Sequence, residues 1–258
     1  MRKYLRVLAT VTVVMGIMVF TGACGDSKEV PPAADEETGG VELLSGYPED
    51  ILPVYNSNKI KSVGFYVRGE GNYVFGKDIY TVEYVSSSSA EDIIKYYRGL
   101  ATSIDEEYSN SDSLTAVIGE NPFGLLLYED ETGMNVSLTL GMLPSEYVTV
   151  NPYFSDYPGD LIEPFGRMTF SEQAYEVRES NGTEIIYKEA YITNVDKEAF
   201  REFYVAKYAE AEDFIVQEDE DGLTYQWIDR GFTCIASIST SGGPSGDFVT
   251  TNASKIIE

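Results

Sequence analysis

The chain has 258 residues, of which 43 are acidic and 18 basic, and its net charge at pH 7 is −25. This acidity argues against nucleic-acid binding, which depends on clusters of lysine and arginine. The chain contains no histidine, which removes the commonest general base, the commonest zinc ligand and every catalytic triad that uses histidine.

The first 24 residues have the layout of a secretion signal. Basic residues at 2, 3 and 6 precede an apolar run, Val7–Phe20, of about 14 residues, which is shorter than the roughly 20 residues of a membrane-spanning helix. Small residues at 21–23 then lead to Cys24. This pattern is typical of a signal peptide that ends at residue 23. A short uncleaved anchor is the alternative.

The position of Cys24 resembles the lipobox of bacterial lipoproteins, in which a cysteine directly follows the small residues of the cleavage site. Gly22 and Ala23 match that motif, and Thr21 departs from it because leucine usually stands there. The resemblance implies that Cys24 is the first mature residue and carries a diacylglycerol on its thiol, usually with a further acyl chain on its amino group. Because one chain alone binds membranes only marginally, these chains together imply stable anchoring on the extracytoplasmic side of the bacterial cell membrane.

Residues 24–46 are predicted to form a disordered tether. They contain two prolines, several acids and few large apolar residues, a composition that buries too little apolar surface to offset chain entropy. A flexible segment of about 22 residues has an end-to-end distance of roughly 25 Å. Without residues 1–23, the chain has 15 basic and 43 acidic side chains, a net charge of −28, which argues against flat docking on anionic lipid.

Residues 47–145 are predicted to form a first unit with the order β-β-α-β-β-β. Ile60–Arg68 and Ile79–Val85 are predicted to pair as two strands. A helix is predicted to start at Ser88, where Glu91 completes a capping box. The three strands predicted to follow are Leu114–Gly119, Leu125–Glu129 and Met134–Leu140.

Residues 155–240 are predicted to repeat this order as a second unit. An apolar stripe between Phe200 and Tyr208 indicates its helix. The predicted strands are Tyr175–Arg178, Ile185–Ile192, Phe214–Gln217, Leu223–Asp229 and Phe232–Ser239. Residues 241–258 are polar and are predicted to be a loose tail with one short strand at its end.

Three stretches of sequence recur in the same order, which suggests an internal duplication. The first match pairs Tyr47–Pro53 with 157–164, at a spacing of 110 residues. The second pairs Tyr84–Val85 with Tyr191–Ile192, at a spacing of 107, and Tyr96–Tyr97 with Phe203–Tyr204. The third pairs Gly124–Gly133 with Gly222–Gly231, at a spacing of 98. The predicted fold class is therefore α+β, with two tandem units that each pack one helix on an antiparallel sheet. The sequence leaves open whether the two sheets join.

Carboxylates are the only plentiful catalytic groups, so an envelope hydrolase that uses a pair of them is one hypothesis. The acidic runs Glu129–Glu131 and Glu218–Asp221 would supply the pair, although both fall at predicted turns. The second run has part of the spacing of an EF-hand loop, but Ile228 stands where the terminal glutamate is required. A hairpin turn explains it better, and the sequence predicts no metal and no cofactor.

Two conspicuous side chains of the second unit are predicted to be structural. Cys234 shares a strand face with Phe232 and Ile238, which favours a buried cysteine over a nucleophile. Trp227 shares a strand face with Leu223, which favours the core over an exposed binding platform.

The doubled Tyr-Pro-x-Asp supplies the candidate surface residues Tyr47, Asp50, Tyr157 and Asp160. A structural turn at the start of each unit is the favoured interpretation, and a binding role is the alternative. The predicted function is a non-catalytic binding or interaction module of the cell envelope, with an envelope protein or cell-wall glycan as partner. A subunit or adaptor of an envelope complex is a further alternative, for which we expect an exposed apolar patch.

Overall fold

Alternating apolar and polar side chains favour strands over most of the body. The computed structural model describes residues 40–68, 78–142, 161–219, 222–239 and 247–257. The predicted signal peptide, Cys24, most of the tether, Tyr157 and Asp160 lie outside these ranges. The elements are β1 Ser57–Arg68, β2 Asp78–Ser86, α1 Ala90–Leu100, β3 Ser103–Ile104, β4 Ser113–Ile118, β5 Asn121–Asp130, β6 Gly133–Met142, β7 Arg167–Ser180, β8 Gly182–Thr193, α2 Lys197–Tyr208, β9 Glu212–Glu218, β10 Gly222–Asp229, β11 Phe232–Ser239 and β12 Asp247–Ile257.

The strands of the described residues form one antiparallel sheet of twelve strands. Their order is β3-β4-β5-β6-β2-β1-β7-β8-β12-β11-β10-β9. Read outwards from the central β1–β7 pair, the two halves have the same succession: β1, β2, β6, β5, β4, β3 on one side and β7, β8, β12, β11, β10, β9 on the other. We call these the first and second halves of the sheet.

The predicted α+β class with two tandem units is wrong, and the structure answers the question of whether the sheets join. The described chain is predominantly β, and β1 pairs with β7 from Ser62–Arg178 to Arg68–Glu172, so that the halves share one sheet. The sequence prediction missed this because β7 has 14 residues rather than the four predicted. Polar residues on both sides of Tyr175–Arg178 hide the apolar alternation on which a strand prediction depends.

The strand predicted at the end of the loose tail is longer than expected, with 11 residues. Residues 247–257 form β12, which lies between β8 and β11 and pairs with both of them. The tail is rich in threonine, serine and asparagine, which masks its strand character. Val249 and Ala253 nevertheless alternate towards the core and are buried there.

The third sequence match joins strands that are not equivalent in the sheet. Gly124–Gly133 covers β5 and its turn, whereas Gly222–Gly231 covers β10, which occupies the place of β4 in the other half. Both stretches end at a glycine with positive φ, 120° at Gly133 and 77° at Gly231. The similarity therefore reflects hairpin-turn chemistry rather than equivalent position.

Both helices lie on the same face of the sheet. Residues that are directly opposite on neighbouring strands point to the same side, which links Val63 to Val177 and Ile185. Tyr187 lies two residues after Ile185 on β8 and therefore points to the same side, and it is opposite Ala253 of β12. Val63 belongs to the core under α1 and Ala253 to the core under α2. We call this side the helical face, and the opposite side, which carries Glu83, Glu176 and Lys188, the polar face.

Each helix begins at a capping side chain. Ser89, one residue after the predicted start, accepts a hydrogen bond from the Asp92 N–H of α1 at 3.2 Å. Asp196 accepts one from the Ala199 N–H of α2 at 2.8 Å. These contacts satisfy donors that have no partner within the helix.

A buried tyrosine pair ties the helix of the first half to its sheet and to the segment before β1. Tyr84 of β2 and Tyr97 of α1 are fully buried, with hydroxyl oxygens 3.0 Å apart. The Tyr97 hydroxyl donates to the Pro53 carbonyl at 2.9 Å and accepts from the Tyr55 N–H at 3.2 Å. Burial raises the pKa of Tyr84 to about 12, so the pair is neutral. We call this pair a tyrosine brace.

The second half has the equivalent brace, made by Tyr191 of β8 and Tyr204 of α2. The Tyr204 hydroxyl donates to the Glu163 carbonyl at 3.0 Å, and the Tyr191 hydroxyl accepts from the Phe165 N–H at 3.0 Å. Phe165 stacks on Phe203 with ring centroids 4.2 Å apart. In the first half, a stacked pair at 4.1 Å joins the corresponding rings, Tyr55 and Tyr96. The first and second sequence matches therefore mark equivalent contacts.

We predict that Tyr97→Phe and Tyr204→Phe each lower the free energy of unfolding by about 1–3 kcal/mol, because each change removes the hydroxyl of a fully buried tyrosine and with it a hydrogen bond to a partly buried backbone group. Urea denaturation followed by circular dichroism would measure the loss. Tyr96→Phe on the same helix is the control. It keeps the stack on Tyr55, and we expect a change below about 0.5 kcal/mol. Equal losses in all three variants would contradict a specific role for the braces.

Candidate functional site

The two acidic runs do not converge. Glu129–Glu131 lies at the β5–β6 hairpin, and Glu218 and Asp219 lie at the β9–β10 hairpin. Six strands separate β6 from β10 in the sheet. Because neighbouring strands are about 4.8 Å apart, these carboxylates cannot act as a pair across one glycosidic bond.

Local contacts account for one acidic side chain at each of these turns, Asp130 and Glu218. Asp130 accepts a hydrogen bond from the Thr132 N–H at 2.7 Å, and hydrogen bonds from Thr132 and Asn135 hold its pKa well below the usual range. Glu218 pairs with Lys197 at 2.9 Å and Arg201 at 2.7 Å. Hydrogen bonds from Arg201 and Lys197 lower its pKa. Within the described ranges, no group of three or more acidic or cysteine side chains is arranged to hold a metal ion.

Of the candidate surface residues, Tyr47 is structural. It is buried, its hydroxyl donates to the Leu52 carbonyl at 2.8 Å, and its ring meets Tyr80 edge-on at 5.8 Å. Asp50 is exposed on the same turn. Their counterparts in the second half lie outside the described residues.

Cys234 and Trp227 are both fully buried in the core under α2, as predicted. Burial raises the pKa of the Cys234 thiol to about 12, so the thiol stays protonated and unreactive at neutral pH. Trp227 stacks on Tyr208 with ring centroids 4.2 Å apart.

The polar face carries a network of paired charges. Lys188 contacts both carboxylate oxygens of Glu176 at 2.8 and 2.9 Å, and the Tyr66 hydroxyl donates to the same carboxylate. Arg178 pairs with Glu184 at 2.6 Å. Burial raises the pKa of Tyr66 well above its ordinary value. This network neutralises its own charges, which is typical of a structural arrangement.

The sequence analysis missed a groove in the middle of the helical face. Its volume is about 330 Å³, and its walls include Val41, Tyr175, Val177, Thr183, Ile185 and Ile257. We call it the central groove. Alternating side chains of β7, β8 and the end of β12 point to the same side and meet here. The sequence alone does not predict this meeting, because it does not give the register of the three strands.

The central groove is open because neither helix reaches it. α1 packs against β4 and α2 against β10, while β7 and β8 lie between these strands in the sheet. The Tyr175 ring lies 5.3 Å from Tyr187, which fixes one wall. Ile257 keeps 40% of its surface exposed. Apolar side chains thus remain partly exposed to water at the centre of the helical face, between the cores under α1 and α2.

The other wall is the segment Gly40–Leu44, which we call the strap. The Val41 N–H donates to the Ile60 carbonyl of β1 at 3.1 Å, and the Val41 side chain is buried. A Cβ atom at Gly40 would lie 3.1 Å from the same Ile60 oxygen, so the backbone runs close against the strand. Glu42 adds an exposed charge at the edge of the central groove.

We predict that Gly64→Ala destabilises the protein by about 1–3 kcal/mol, because the new methyl group would lie 2.6 Å from Thr81 Oγ1 and 3.0 Å from the Tyr66 ring on the polar face. Thermal or urea unfolding would measure the change. Gly99→Ala is the matched control: no atom lies within 4 Å of the added carbon. Since Gly99 is in α1, we expect a gain of up to about 1 kcal/mol. A loss at both positions would contradict the steric argument.

Two further findings concern the chain as a whole. None of the helices that the structure describes has the length and apolar character needed to cross a membrane. Comparison with known protein families, with curated proteins and with solved structures finds no match for this chain.

Proposed function

We propose that this protein is a lipid-anchored binding module of the bacterial cell envelope, held outside the cytoplasmic membrane by acyl groups on Cys24. The anchoring part is supported by the signal layout of residues 1–23 and by the cysteine that follows the small residues. The binding part is supported by the central groove.

The observation that carries the binding role is an apolar surface left open between two covered cores. Under α1 and α2, the side chains of the helical face are almost fully buried. In the central groove, Tyr175, Val177 and Ile185 are only half-buried. Concave apolar surfaces of at least about 300 Å³ are typical ligand sites, and removing such surface from water is favourable. Binding is also favoured over hydrolysis because the acidic runs lie far apart.

The anchor generates a first prediction. Cells given an alkyne-labelled fatty acid should yield labelled wild-type protein in the membrane fraction, because the thiol of Cys24 accepts the lipid. Cys24→Ser should lose the label and leave the membrane fraction or accumulate as precursor. Cys234→Ser is the control and should keep the label, because Cys234 is buried in the core. Labelling of Cys24→Ser at the wild-type level would contradict the anchor.

The groove generates a second prediction. A photoreactive phenylalanine analogue placed at Tyr175 should form adducts in intact cells, because this side chain lines the proposed binding site. The same analogue at Tyr128, which is 41% exposed on the polar face, is the control. Mass spectrometry of the purified protein would detect the adducts. Absence of adducts at Tyr175, or equal yields at both positions, would contradict binding at the central groove.

A further inference from the structure

We propose that the central groove binds one acyl chain of a membrane lipid. This inference rests on the proposed function, because it names the ligand class for the same groove. Three features of the described residues support it: the chemistry of the walls, the pairing of their backbones and the position of the strap.

The walls are mostly apolar; the polar side chains are Thr183 and the exposed Glu42 at the edge of the groove. Val41, Val177, Ile185 and Ile257 present aliphatic groups, and Tyr175 adds a ring that contacts Tyr187. The volume of about 330 Å³ lies at the lower end of the range for small-molecule sites. This size suits a single linear chain better than a bulky ligand.

Where they line the groove, β7 and β8 offer no free strand edge to a peptide. β7 pairs with β1 and β8, and β8 pairs with β7 and β12, so their N–H and C=O groups are already used. A buried peptide ligand would have to leave its own polar groups without partners, which is costly. An acyl chain has no such groups, and the groove therefore favours a lipid over an extended peptide.

The strap connects the central groove to the proposed lipid anchor and so keeps it close to the membrane. Residues 25–39, 15 in number, separate Cys24 from Gly40 at the wall of the groove. A chain of that length spans at most about 55 Å, and a flexible one has an average reach of about 20 Å. The proposed anchor would thus hold the opening within a short distance of the bilayer from which the ligand comes.

The test is a titration of the mature chain, residues 24–258 with Cys24→Ser, with fatty acids of 10 to 18 carbons by calorimetry. We expect saturable binding of one molecule per chain. Affinity should rise about fourfold per methylene group, the increment for burial in an apolar site, and then level off once the groove is filled. Absence of saturation, or affinity independent of chain length, would overturn the inference.

Adjacent residues of β12 provide a matched pair of variants. Ile257 lines the groove and is 40% exposed, whereas Ile256, 51% exposed, lies on the polar face opposite Glu184. Ile257→Glu should weaken fatty-acid binding at least tenfold, and Ile256→Glu should change it less than twofold. Because both side chains are exposed, both variants should fold, as circular dichroism would verify. Equal effects would overturn the assignment to the central groove.

The adduct formed at Tyr175 in cells separates this inference from the proposed function. An adduct with the mass of a membrane lipid would support both. An adduct with a protein would overturn the acyl-chain proposal and leave the binding module standing. No adduct, together with no fatty-acid binding, would overturn both.

Discussion

Pairing between β1 and β7 is the interaction on which the rest of the structure depends. It joins two successions of six strands into one sheet, and it brings Val63 opposite Val177 so that the apolar side continues across the junction. Without this pairing, each half would end in an open strand edge, which invites association with other chains. The same pairing places β7 and β8 at the centre, where the central groove lies.

The tyrosine braces explain why that centre stays open. Each brace links a helix, the second strand of its half and the segment that precedes the first strand of that half. The links are made by the hydroxyl groups of four fully buried tyrosines, Tyr84, Tyr97, Tyr191 and Tyr204. A helix held in this way cannot slide towards the middle without leaving buried polar groups unpaired. Two equivalent braces therefore fix two covered cores, and the surface between them is left uncovered.

Local pattern predicted most of the elements but not their assembly. The β1–β2 pairing, the helix stripes and the buried positions of Cys234 and Trp227 follow from periodicities of two and 3.6 residues, and the structure confirms them. Periodicity carries no information about which distant strands become neighbours, so the β1–β7 junction and the central groove were missed. The length of β12 was missed because its polar composition resembles that of a loop. Tyr47 is buried rather than on the surface, in keeping with the structural turn that its turn-forming neighbours favour.

The place of β12 sets an order in which the protein can be completed. The first half is closed by β6, which ends at Met142, whereas the second half is closed by a strand that ends at Ile257. In a chain made from the amino terminus onwards, the first half can be completed before β7–β12 have been synthesised. In the part of the chain that the structure describes, the β9–β11 meander joins β8 only through β12, so β8 and β11 keep unpaired edges until β12 is in place. Loss of β12 would consequently expose these edges to aggregation and to proteases.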